Sequence, residues 1–103
     1  MTQEGRLTMQ PPDITRVFKG PQNEFEVEIV FAREGNQSPK EGHTYDEIIV
    51  VTDGVIELER SDQKEISTCS KYDYIFLPKG TVHQITVRKA PVKLVIIHPE
   101  RGE

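Results

Sequence analysis

The chain predicts an all-β domain, and three observations carry that prediction. Short runs alternate apolar with polar residues, clusters of Gly, Pro, Asn, Asp and Ser interrupt them about every eight to twelve residues, and no segment keeps helical periodicity beyond about two turns. Spacing of this kind argues for a β-sandwich or small barrel, where closure removes exposed strand edges.

The elements follow in order. Residues 1–12 are polar and end in Pro11-Pro12, which rules out regular pairing there; they predict a flexible N-terminal arm or a strand that crosses to a neighbour. A single domain is expected over 13–103. "ITRVF" (14–18) is a short strand and "GPQN" a turn. "EFEVEIVFA" then alternates Phe25, Val27, Ile29 and Phe31 against Glu24, Glu26, Glu28 and Val30, so the first set is expected inside and the second wet. After the loop "REGNQSPKEG", "EIIVV" reads as a buried strand, and Thr52-Asp53-Gly54 reads as a tight hairpin turn because glycine takes the positive φ such turns need. "VIELER" returns, and "SDQK" is a polar tip before "EISTC". "KYDYIFLP" is closed by Pro78-Lys79-Gly80; "HQITV", "RKAP" and "VKLVII" complete about eight short strands, ending at His98-Pro99.

A chain of 103 residues supports one small core and leaves no room for a second module. Domains of this size bury only about 60 to 70% of their unfolded surface, so a homodimer that covers the remaining apolar surface is expected. The net charge of −4, with acids and bases interleaved, excludes a basic nucleic-acid footprint or polybasic membrane patch. "MTQEGRLTMQPPD" has no apolar core of the kind a secretion signal needs, no run approaches roughly 20 apolar residues, and the lone Cys69 has no second cysteine for an internal disulfide. A soluble, cytoplasmic protein with a small-molecule ligand or substrate is the expectation.

Candidate chemistry lies in "KEGHTYDEIIVVTDG" (40–54). Side chains on a strand alternate sides, so Glu41, His43, Tyr45, Glu47, Ile49 and Val51 share a face. If the apolar members face the interior, the two acids and the histidine do too. His83 starts a later strand with Ile85 and Val87 at its own parity, which directs it inward as well. Buried unpaired charge costs several kcal/mol, and one solution is a divalent cation. Imidazole nitrogen and carboxylate oxygen suit Mn, Fe, Ni or Zn rather than a thiolate-seeking metal. The alternative is an ordinary polar strand edge, with Glu41 solvated or paired with a lysine.

In these residues the chain resembles the cupins, small jelly-roll barrels with a double-stranded β-helix fold. Their first motif is a glycine, five residues, His-x-His, three or four residues, a glutamate, six residues and a glycine. Gly35, Glu41-Gly42-His43, Glu47 and Gly54 keep every spacing, with Glu41 in place of the first histidine. The second motif is a glycine, five residues, Pro-x-Gly, two residues, a histidine, three residues and an asparagine; Tyr72, Pro78-Lys79-Gly80, His83 and Val87 stand at those positions. The glycine and the asparagine are turn and packing positions, so their loss is expected to cost little.

The resemblance implies one divalent metal on His43, Glu47 and His83, with Glu41 either a fourth ligand, favouring Mn(II) or Fe(II), or a free carboxylate acting as general base. It implies a metal-dependent dioxygenase, isomerase or lyase acting on a small oxygen-bearing metabolite, and equally allows a non-catalytic binding module without a functional metal, because fold does not fix function. Phe25, Phe31, Ile49, Tyr74 and Ile96 are the expected pocket walls. Tyr45 is expected to anchor a barrel wall, Tyr74 and Phe76 to be core, Cys69 to be a small buried residue, Asp53 to be a turn residue and His98 to be exposed.

Overall fold

A computed structural model describes residues 12–22 and 24–100; the N-terminal arm expected for residues 1–12 lies outside them except for Pro12. Six strands form: β1 (Asp13–Lys19), β2 (Glu26–Ala32), β3 (Glu47–Arg60), β4 (Ser67–Ser70), β5 (Tyr74–Leu77) and β6 (His83–His98). All pairings are antiparallel, in the order β1-β2-β6-β3-β4 with β5 on β3. There is no helix among the described residues, and so none long and apolar enough to cross a membrane.

Two long strands replace four of the expected short ones. β3 runs through Thr52-Asp53-Gly54 without turning back, so the expected hairpin is a bend in a continuous strand, with register shifts against β6 on both sides of Asp53. Gly54 sits there at φ 82°, and a Cβ on it would collide with the Pro91 carbonyl and lie 2.8 Å from the Lys89 oxygen. Glycine is therefore required twice over, by conformation and by the close approach of β6.

The bend switches which parity faces inward. In β3, Glu47, Ile49 and Val51 are buried before it and Ile56 and Leu58 after it. β6 switches in step: His83, Ile85 and Val87 line the interior in its first half, and Val92, Leu94, Ile96 and His98 in its second. Each long strand thus serves two layers. One layer comprises β1, β2, the second half of β6, the start of β3 and β5; the other comprises the first half of β6, the end of β3 and β4. Between them lies the core, in which Ile49, Val51, Ile56, Leu58, Leu77 and Val92 are almost wholly buried. Each such side chain contributes roughly 1.5 to 3 kcal/mol of burial.

On β2 the expected faces are exchanged. Glu26, Val30 and Ala32 are buried, while Ile29 is 43% exposed and Phe25 packs edge-on against Phe18 instead of filling the core. The outer face of this layer is apolar in register: Val27, Ile97, Ile48 and Phe76 form one row, and Ile29, Val95, Val50 and Tyr74 the next. Tyr74 and Phe76 accordingly stand on the outside, exposed, and not in the core.

Candidate metal centre

The loop before β3 is stitched to the start of β6. Glu41 and His83 exchange both backbone hydrogen bonds, with Glu41 N donating to His83 O at 3.0 Å and His83 N to Glu41 O at 2.9 Å; Gly80 N donates to the His43 carbonyl at 2.8 Å. This stitching brings the two motifs side by side. Glu47 opens β3 and His83 opens β6, and both are buried at the ends of inward-facing apolar rows. His43 stacks on Tyr45, with ring centroids 4.7 Å apart and planes 8° from parallel. Tyr45 therefore supports a site histidine as well as lining the cavity wall.

The ligating atoms of His43, Glu47 and His83 all lie within 4.8 Å of one another. Glu47 Oε1 is 3.2 Å from His83 Nε2 and 3.7 Å from His43 Nε2. It is buried yet accepts no well-directed hydrogen bond. His83 Nδ1 faces the Thr81 carbonyl oxygen at 3.3 Å, an acceptor, which puts hydrogen on Nδ1 and turns Nε2 toward the carboxylate. Glu41 stands at the rim, its side chain 46% exposed and its Oε2 3.8 Å from His43 Nε2, outside that three-residue group.

Electrostatics follow from this packing. Burial would raise the Glu47 carboxyl, but the close approach of His83 and His98 outweighs it and holds it at about 2. Burial works against protons on His83 and His98, yet Glu47 for both, and Glu26 for His98, raise them above the ordinary histidine value. At His43 burial prevails over the charges of Glu47 and Glu41 and lowers it, so its ring keeps a lone pair free at neutral pH.

The donor set fits a divalent cation. Donors about 2.1 Å from a shared ion stand roughly 3 to 4 Å apart, which the Glu47–His83 and Glu47–His43 separations match. Two imidazoles and a carboxylate suit Mn, Fe, Ni or Zn, and Glu47 Oε1 is a buried acceptor that such an ion would satisfy. A second group, Glu26, Glu28 and His98, is also close enough to share an ion. There, however, Arg16 Nε at 2.7 Å and Lys19 Nζ at 3.6 Å from Glu26 Oε2 already supply the positive charge.

These residues open on a cavity of about 400 Å³ whose apolar walls include Val30, Ile56, Ile85, Leu94 and Ile96. Of the five walls expected from sequence, only Ile96 lines it. Phe25 and Phe31 belong to the opposite parity of β2, Tyr74 faces outward, and Ile49 is packed into the core. Val87, where the resemblance has an asparagine, is one more partly buried wall residue.

Sequence reasoning missed two members of the site. His98, expected to be exposed, is 4% exposed, with Nε2 3.3 Å from Glu47 Oε2 and Nδ1 2.9 Å from Glu26 Oε1. Its signal lies in parity: Leu94, Ile96 and His98 alternate on one face, so the expectation of Ile96 as a pocket wall extends to His98. Glu26, expected on the wet face, is wholly buried. No sequence signal marks it, since its neighbours Phe25 and Val27 are the more apolar pair.

No protein-family model and no curated protein matches the sequence. Solved structures do match in shape. An RmlC-like cupin-family protein with a double-stranded β-helix fold from Methanocaldococcus jannaschii superposes with a TM-score of 0.77 at 12% identity, covering 98% of this chain and 91% of that one. KdgF from a Halomonas species gives 0.76 at 20% identity, covering 96% and 87%. The DMSP lyase DddQ from Ruegeria pomeroyi gives 0.75 at 16% identity, covering 90% of this chain and 48% of that one. The chain has the cupin fold, an all-strand double-stranded β-helix, with a cluster of candidate metal ligands inside it.

Proposed function

We propose that this protein holds one divalent metal through His43, Glu47 and His83 and acts on a small oxygen-bearing metabolite in the adjoining cavity. The observation that carries the reading is Glu47 Oε1, a buried carboxylate oxygen with no well-directed hydrogen bond, aimed between two histidine nitrogens. When bound, such a cation supplies Lewis-acid polarisation of a substrate oxygen.

The chain's own residues supply the rest. Apolar walls beside the polar cluster offer a surface for a substrate's carbon frame, Tyr45 stacks on the His43 ring, and Glu41 at the rim offers a carboxylate to take a proton from a substrate carbon or hydroxyl. That combination supports lyase, isomerase or oxygenase chemistry, and a lyase among proteins of the same fold supports the first. Assembly as a homodimer is part of the proposal, supported by the apolar outer rows on β2, β6, β3 and β5. So is a cytoplasmic location, supported by the free, buried Cys69.

A second reading rests on the raised histidines. Glu47 raises both His83 and His98, and Glu26 raises His98 further, so these rings are able to balance the buried carboxylates by taking up protons and to leave a cavity that binds a small molecule with no metal. Elemental analysis and Mn(II), Fe(II), Ni(II) and Zn(II) titration of the purified protein separate the two. The metal reading expects uptake near one equivalent, lost in Glu47→Gln and His83→Ala; a folded protein that takes up none of the four sinks it and leaves the second.

A further inference from the structure

The interior carries a polar rung that the three ligands do not account for. Strand register places Lys19 opposite Glu26 and Glu26 opposite His98, and continuing the Ile48–Ile97 pairing by one residue sets Glu47 opposite His98. Glu26, His98 and Glu47 are therefore neighbours across β2, β6 and β3, although 72 and 51 residues separate His98 from its two partners. All three are buried.

We infer that His98 is a positioning residue for the metal centre: its Nε2 holds Glu47 Oε2, so that Oε1 alone turns to the cation, and its Nδ1 is anchored on Glu26. The inference rests on the metal reading above and adds residues to it. The two Glu47 oxygens divide cleanly, Oε2 toward His98 Nε2 at 3.3 Å and Oε1 toward His83 and His43. A carboxylate held on one oxygen is restrained in rotation about its last side-chain bond. On the far side of the ring, Glu26 Oε1 accepts from Nδ1 at 2.9 Å while Glu26 Oε2 faces Arg16 Nε and Lys19 Nζ. The contacts run without a break from exposed Arg16 through Glu26 and the His98 ring to Glu47 Oε2, the oxygen that does not face His43 and His83. Partners of this kind, which touch a ligand but not the ion, typically carry about 10- to 100-fold in metal affinity.

Co(II) titration of the full chain tests this, followed by both calorimetry and the visible absorption of the bound ion, with circular dichroism to select folded variants. Wild type is expected to bind Co(II). His98→Leu is expected to bind about 10- to 100-fold more weakly with an altered visible spectrum, and His98→Gln, which keeps a donor for Glu47, to recover part of both. Glu26→Gln is expected to weaken binding less, and the Glu26→Gln/His98→Leu double variant to be no weaker than His98→Leu, since Glu26 acts through the ring. Should His98→Leu not fold, His98→Gln and Glu26→Gln carry the same comparison. Wild-type affinity and an unchanged spectrum in the folded His98 variants overturn the positioning role while leaving the metal centre standing. A wild-type protein that binds no Co(II) removes both.

Discussion

The outer face of the layer built from β1, β2, β5, the end of β6 and the start of β3 carries Val27, Ile29, Ile48, Val50, Val95 and Ile97, whereas the inner face of the same strands ends in Glu26, His98 and Glu47. Hydrophobicity alone would turn this layer inside out. It does not invert because the inner face continues from the polar rung into Val30, Leu94, Ile96, Ile49 and Val51, which close against Ile56 and Leu58 of the other layer. The polar rung is tolerated there because each charge has an opposite one beside it. Charge is thus concentrated where a ligand can use it, and apolar surface is left where a partner can cover it.

The contrast between the faces is broken most directly by shortening one residue on each. Ile49→Ala, in the sealed inner core, is expected to cost about 2 to 5 kcal/mol in denaturant unfolding. Ile29→Ala on the outer face is expected to cost under about 1 kcal/mol in the monomer and to weaken self-association in sedimentation. Equal losses at both sites would mean that the outer row is as firmly buried in solution as the core.

The polar rung is sharpened by pH, measured as unfolding stability of the metal-free protein. The Glu47 carboxyl is held at about 2 against an ordinary 4.5, so its contribution is present above pH 4.5 and is lost as pH falls toward 2. His83 and His98 are raised above 6.5, so theirs is present below 6.5 and is lost as pH rises through their folded values. His43, which is lowered, acts in the opposite sense and in a different window: it disfavours the folded state as pH falls below 6.5, which moves the maximum toward 6.5 and leaves the alkaline loss unchanged. Stability is expected to peak between about pH 4.5 and 6.5, and His98→Gln to flatten its alkaline limb. A profile that rises steadily to pH 9 would contradict the two protonated rings.

The smallest effect is expected at Tyr72, in the turn between β4 and β5. It occupies the position where the cupin motif has a glycine, at φ 77°, and its side chain is 79% exposed. The departure is not free, because a left-handed backbone costs a residue with a Cβ about 1 to 2 kcal/mol. Tyr72→Gly is expected to stabilise the protein by up to about 1 kcal/mol, after the greater unfolded-state entropy of glycine is subtracted, read as a rise in the urea midpoint.

Strand alternation and turn spacing in the sequence were enough for the all-β class and for the candidate ligands His43, just before β3, Glu47 at the start of β3 and His83 at the start of β6. Alternation along a strand is a local property, and Glu47, Ile49 and Val51 obey it without reference to any other strand. Even His98 was legible by that rule, through Leu94 and Ile96. Tertiary structure alone decided which face of β2 is inner, because both faces are apolar enough to be buried and only pairing with β6 selects between them. It decided that Thr52–Gly54 bends a strand and does not reverse it, because the contact that requires Gly54 comes from Lys89 and Pro91, over thirty residues away. And it decided that Glu26 and His98 belong beside Glu47, since cross-strand register is set by the sum of all rungs and no single segment contains it.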